Sequence, residues 1–154
     1  MDSSISKWFC RHSAQEVCPY NHKFARALPE GSPFASRPAL SGRDAGTLAR
    51  ELLAMSQPEF STAFKGSPMK RARPRGLRRN ASVVLGNVGS ADDVLVLAAA
   101  LEDEEPLVRA HSARALGRLG SPTAATALRA CLGVEVDVDV RAELEAALEA
   151  YVAP

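Results

Sequence analysis

A chain of 154 residues that is 46% apolar and carries a formal net charge of +1 is long enough for one ordinary domain and its core. No run approaches the roughly 20 apolar residues of a membrane span, and no charged-then-apolar signal opens the chain. Three cysteines, Cys10, Cys18 and Cys131, do not make a disulfide framework, which points to a reducing cytoplasm.

The near-neutral total conceals a split. Residues 1–91 carry 14 Lys and Arg against 6 Asp and Glu, whereas residues 92–154 carry 5 against 12. The first stretch is therefore the half suited to a polyanion.

Residues 1–26 gather Cys, His and aromatic side chains. A Cys followed by Pro, as in Cys18-Pro19, with another cysteine upstream, is how iron–sulfur loops end. That makes Cys18 and Cys10 the candidate metal thiolates. Three cysteines cannot supply the four thiolates of a cluster, so a partner would have to complete it. Cys10, His12, Cys18 and His22 also read as a four-ligand zinc set, without the usual paired-cysteine knuckle. The plainer alternative is two free thiols in a loosely packed arm. Residues 27–42, ALPEGSPFASRPALSG, with three prolines and two glycines, read as a linker.

A first helix is expected from about Asp44 to Met55, with Leu48, Leu52 and Met55 on one face. Ser56 and Glu59 form a capping-box start for the next, followed by Phe60 and Phe64 one turn apart and a stop at Gly66. Seven cations then follow: Lys65, Lys70, Arg71, Arg73, Arg75, Arg78 and Arg79. No acid occurs between Glu59 and Asp92. Such a run can track a phosphate backbone, or serve as a solvated loop.

Pro74 suits the first turn of a helix whose stripe is Leu77, Ala81, Val84, Leu85 and Val88, with Gly89 as a left-handed exit. Ser90 caps a helix of Val94, Leu97, Ala98 and Leu101. Pro106 opens another, with Val108, Ala115, Leu116 and Leu119 inward. Ser121-Pro122 opens a third, with Ala124, Leu128, Cys131 and Leu132. The alternating stretch GVEVDVDV has no partner strand and reads as a loop, with Asp139 capping the last helix. His111 reads as a packed or surface residue, and Glu102 to Glu105 as a solvated turn without an acid–base dyad.

The pattern repeats. LVRAHSARALGRLGS, Leu107 to Ser121, answers LRRNASVVLGNVGS at an offset of 116 − 85 = 31 residues, so that Arg109 matches Arg78 and Gly117 matches Gly86. A weaker third copy begins at Val140. A period near 31 with two helices per unit implies an all-α fold: a short HEAT-like helical-repeat stack, an α-α superhelix with an irregular N-terminal arm. About two and a half units are expected.

QEVCPYNHKFA, Gln15 to Ala25, resembles the last cluster motif of the tRNA epoxyqueuosine reductases, which complete queuosine at the wobble position. The resemblance continues from Leu48 to Asn87, through the Phe60/Phe64 pair, Gly66-Ser67, the Arg71 region, Arg79-Asn80-Ala81 and Leu85-Gly86-Asn87. The cluster motif is degenerate, since Ala14 and Arg11 stand where the family has its other cysteines. The resemblance implies the C-terminal part of such an enzyme. It divides the chain into an iron–sulfur remnant at 1–26, the linker at 27–42 and a HEAT-like domain at 43–154. It further implies that the reduction, with its [4Fe–4S] clusters and cobalamin, belongs to an N-terminal catalytic half, which a separate chain could supply, so that no catalytic residue and no cofactor are expected here in isolation. The family's repeats are implicated in holding the tRNA anticodon stem-loop. On that resemblance Lys70, Arg71, Arg73, Arg75, Arg78 and Arg79 are the phosphate contacts. A stand-alone HEAT-like adaptor for protein or RNA is the alternative.

Overall fold

The computed structural model describes residues 19–24, 26, 29 and 42–152. The metal-ligand candidates Cys10 and Cys18, with His12, lie outside the described residues. Two compact units are present, Met1–Arg37 and Pro38–Pro154. In the first, helix α1 (Pro19–Phe24) stacks Tyr20 on Phe24, one turn apart, with ring centroids 5.9 Å from each other.

The described part of the second unit is built from helices. Asp44 starts α2 (Ala45–Ala54) by accepting hydrogen bonds from the Thr47 N–H and hydroxyl. The Ser56–Glu59 capping box starts α3 (Gln57–Ala63), as its sequence requires. Gly66, at φ 68°, turns the chain into a 3-10 turn, Pro68–Ala72, which leads into α4 (Arg73–Val88). A second 3-10 turn, Ala91–Asp93, runs into α5 (Val94–Ala99) and a third, Ala100–Glu102. Three further helices follow: α6 (Pro106–Leu119), α7 (Pro122–Leu132) and α8 (Val138–Val152).

Helices α2, α4, α6 and α8 pack side by side in one row, and α5 and α7 form a second row against them. The core lies between the rows, where Leu85, Leu97, Val108, Leu116, Leu128, Val140 and Leu144 are fully buried. Each hairpin presents an apolar face that only its neighbour covers, as a repeat stack requires. A second cluster of Phe60, Phe64 and Leu77 joins α3 to α4, with Met69 packed against it.

Three local expectations need correction. Val88 is exposed, so the α4 stripe ends at Leu85. Gly89 leaves the helix extended, at φ −71° and ψ 171°; the left-handed exit appears one repeat later, at Gly120 with φ 60°. The alternating valine stretch is a loop only as far as Asp137. Helix α8 starts at Val138, and its cap is Asp137 rather than Asp139: the Asp137 carboxylate accepts from the N–H groups of Asp139 and Val140.

Candidate nucleic-acid interface

The basic segment owes its shape to three small devices. The Ser67 hydroxyl accepts the Met69 N–H at 3.2 Å and starts the 3-10 turn. Met69, half-buried against the Phe60 cluster, pins that turn to α3 and α4. Lys70 and Arg71 are thereby left on the exposed side. Arg73 then takes φ 55° and ψ 161°. The ψ follows from Pro74, whose ring drives the preceding residue out of the helical region. The positive φ is uncommon for a residue with a side chain.

Lys70, Arg73 and Arg75 line an open cleft of about 400 Å³ beside Gln57, Phe60 and Ser61 of α3. Glu104 and Glu105 form part of the same wall, and Arg75 reaches the Glu105 carboxylate at 3.9 Å. Helix α4 has no acidic residue in its first turn, so its positive end adds to these side-chain charges. Lys70, Arg71 and Arg73 have no ion-pair partner among the described residues.

Arg78 also lines this cleft, but its guanidinium is engaged in the fold. One guanidinium nitrogen donates to Asp103 Oδ2 at 2.9 Å and the other to the Met55 carbonyl at 2.7 Å. It ties the end of α2 to the turn before α6. Arg109, the matching residue of the next repeat, does the same work. It donates to both Glu135 oxygens, at 2.7 and 3.0 Å, and to the Asp103 carbonyl at 2.9 Å. Arg141, 32 residues further on, donates to the carbonyls of Leu132 and Glu135. These three arginines stitch successive hairpins together. Asp103 therefore belongs to the framework, and the acidic stretch 102–105 is more than a solvated turn. Arg79 is half-buried, and its Nε, like that of Arg78, has no hydrogen-bond partner among the described residues.

Glu135 is held at about 2, well below the ordinary carboxylate value, chiefly by its Arg109 hydrogen bonds. Asp93 is fully buried and likewise lowered, first by Arg50, whose Nε donates to it at 2.5 Å, while burial opposes. The spacing of Arg78, Arg109 and Arg141 carried the signal for the stitch. Nothing in the sequence singled out their carboxylate partners or the Arg50–Asp93 pair.

Among the described residues no group of three or more His, Cys, Asp or Glu could hold a metal ion. Cys131 faces the Leu101 carbonyl at 3.9 Å, and burial pushes its thiol up, the opposite of what a ligating thiolate needs. Cys131 is the one cysteine among the described residues, and the candidates Cys10 and Cys18 lie outside them. No described helix is long and apolar enough to cross a membrane.

The family model for HEAT repeats matches residues 69–149, spanning α4 to α8. Among curated proteins, an epoxyqueuosine reductase of Xanthomonas campestris is 39% identical over 69% of this chain and 28% of its own length. That of Pseudomonas aeruginosa is 41% identical over 69% of this chain and 28% of its own length. That of Bacillus subtilis is 28% identical over 89% of this chain and 34% of its own length. The chain thus spans about a third or less of the curated relatives it matches. Among solved structures, an epoxyqueuosine reductase with an epoxyqueuosine-modified tRNA stem loop superposes with a TM-score of 0.65 and 28% identity, over 68% of this chain and 28% of that one. The chain belongs to the HEAT-repeat family, and it resembles the C-terminal part of the tRNA epoxyqueuosine reductases.

Proposed function

We propose that this chain is an RNA-gripping helical-repeat module that holds a tRNA anticodon stem-loop for a reductase. Lys70, Arg71, Arg73 and Arg75 contact backbone phosphates, with Arg79 one turn further along α4. The observation that carries this reading is the cluster of Lys70, Arg71 and Arg73: exposed, without ion-pair partners among the described residues, at the positive end of a 16-residue helix. The similarity to a reductase solved with a tRNA stem loop supports the choice of RNA. Arg78 is better read as framework than as a phosphate contact. No catalytic residue is assigned. The reduction, with its cobalamin and [4Fe–4S] clusters, falls to a catalytic part of the kind the resemblance implies.

The test is binding of an anticodon stem-loop RNA by fluorescence anisotropy across a salt series. Affinity should fall linearly with the logarithm of salt concentration. Replacing Lys70, Arg71 and Arg73 together with Gln should flatten that slope by roughly two to three, at unchanged melting temperature. Absence of binding at low salt would sink the reading and leave the protein-adaptor alternative.

A further inference from the structure

The cleft at the start of α4 holds charge of both signs. Lys70, Arg73 and Arg75 of the basic segment line it together with Glu104 and Glu105 of the turn before α6, around a volume of about 400 Å³. That volume is in the range of small-ligand sites. The fold fixes the acidic turn in place. Asp103 Oδ2 accepts from Arg78 and Oδ1 from the Glu105 N–H, each at 2.9 Å. The carbonyls of Asp103 and Glu104 accept from Arg109 at 2.9 and 3.2 Å. The turn therefore delivers two carboxylates into a cleft that is otherwise suited to phosphate.

The two carboxylates differ. Glu105 is half-buried and lies 3.9 Å from Arg75. Glu104 is exposed, and its carboxylate has no hydrogen bond or ion pair among the described residues. Against a ligand made of phosphates alone, Glu104 opposes binding by its charge. It favours binding only when the ligand also brings N–H donors, because a carboxylate accepts and cannot donate. A nucleotide brings both, a phosphate for the cations and a base edge for the acid.

The chemistry of the bases narrows the choice. On its Watson–Crick edge uracil sets its N–H between two carbonyl oxygens. Cytosine and adenine set their amino group beside a bare ring nitrogen, whose lone pair repels a carboxylate. Guanine presents N1–H and N2–H side by side, spaced to meet both oxygens of one carboxylate. That edge is free only where the guanine is unpaired.

We propose that Glu104 is the base reader of a guanine-nucleotide subsite in this cleft, accepting from N1–H and N2–H of an unpaired guanine while Lys70 and Arg73 hold phosphate. The subsite rests on the RNA reading only for its occupant: a loop guanosine of an RNA is one source of this chemistry, and a free guanosine monophosphate is the other.

The experiment measures anisotropy of the full chain with three stem-loop RNAs, identical except at one loop position. Their loops are uridine throughout, with guanosine, inosine or uridine at that position. At matched salt the guanosine RNA should bind about tenfold tighter than the uridine RNA, with inosine, which lacks the N2 amino group, between them. Glu104→Gln turns one acceptor oxygen into a donor and should cut the guanosine preference to about twofold or less. Its melting temperature should stay within about one degree, since the side chain has no partner to lose. A second arm tests free guanosine and uridine monophosphates by equilibrium dialysis, where the guanine nucleotide should be retained over the uracil one by the natural chain and not by Glu104→Gln.

A guanosine preference that Glu104→Gln removes supports the subsite with an RNA loop residue as occupant. Retention of guanosine monophosphate without RNA binding supports the subsite while refuting the RNA function. Equal binding of the three RNAs, or a guanosine preference that survives Glu104→Gln, overturns the subsite and leaves the RNA function standing. A rise in affinity for all three RNAs alike in Glu104→Gln shows a carboxylate that only repels, and overturns it too. No RNA binding and no preference between the mononucleotides overturns both readings.

Discussion

Gly117 of α6 lies so near Ala147 of α8 that a Cβ added to the glycine would stand 2.8 Å from the alanine methyl and 3.0 Å from its Cα. One repeat earlier, Gly86 of α4 meets Ala115 of α6 at 3.0 Å to both atoms. The two contacts sit at the same repeat position, so the steps from α4 to α6 and from α6 to α8 are each drawn together by a glycine facing an alanine. Alanine is a better helix former than glycine by about 1 kcal/mol, which opposes the clash. Overpacking a closed seam costs about 1–3 kcal/mol. Gly117→Ala should therefore destabilise by about 1–2 kcal/mol in urea melts, and Gly86→Ala by less. A Gly117→Ala variant as stable as the natural chain would show that the seam can open without cost.

The Ser82–Ser112 hydrogen bond is buried on both sides, and the Ser82 hydroxyl also donates to the Arg78 carbonyl at 3.2 Å. Removing one hydroxyl leaves the other in an apolar seam. Each single change to Ala should cost about 1–2 kcal/mol. The double change removes both polar atoms together, so its loss should be clearly smaller than the sum of the singles. A double-mutant cycle by chemical denaturation measures this coupling, and strict additivity would mean that the hydroxyls do not interact.

What the sequence made legible was the repeat, because repetition is written in local residue identity. Leu85-Gly86 and Leu116-Gly117 announced both the buried leucines and the close seam. Arg78 and Arg109 were visible as a matched pair, yet Arg78 also belongs to a cation run and was grouped with the phosphate contacts. The difference lies in partners 25 and 26 residues away, Asp103 and Glu135, which only the folded hairpin brings into reach. The exposed Val88 and the misplaced Asp139 cap have a simpler cause. Periodicity does not mark where a helix stops, and neighbouring aspartates compete for one capping position.

His111 and Glu135 act on stability in two different pH ranges, with Asp93 adding to the lower one. His111 is lowered in the folded chain, so the unfolded chain binds the proton first. Stability is full above the ordinary value of 6.5 and begins to fall as pH drops below it. Glu135, at about 2 against an ordinary 4.5, contributes above 4.5 and loses that contribution as pH falls towards 2. The stack is only two helices thick, so water lies close behind the Arg109–Glu135 pair and screens it. Glu135→Gln should cost about 1–2 kcal/mol at neutral pH, below the range of deeply buried pairs. It should also lessen the fall in melting temperature between about pH 4.5 and pH 2, where Asp93 still contributes, whereas His111→Gln should flatten only the upper stage.

Arg78 and Arg71 should respond in opposite ways to the same change. Arg78→Gln leaves Asp103 without its cation and the Met55 carbonyl without its donor. It should lower stability by about 1–3 kcal/mol. Arg71 is exposed and has no ion-pair partner among the described residues, so Arg71→Gln should leave the melting temperature within about one degree and weaken stem-loop binding instead. Thermal melts and anisotropy on the two variants separate the roles. Equal losses of stability would return Arg78 to the surface set.

Arg73 carries strain and charge in one residue, so two substitutions can divide them. Its φ of 55° suits glycine, and Pro74 fixes its ψ without relieving that angle. Arg73→Ala and Arg73→Gly both delete the charge and should weaken stem-loop binding to the same extent, with the same loss of salt dependence. Their stabilities should differ. Alanine keeps the strained φ, whereas glycine adopts it freely and gives back only part of the gain through the greater freedom of the unfolded chain. Arg73→Gly should therefore be more stable than Arg73→Ala by about 1 kcal/mol and no less stable than the natural chain. That result would mean the positive φ is retained at a net cost because it aims a cation, and equal stability of the two variants would show that the turn relaxes once the arginine is gone.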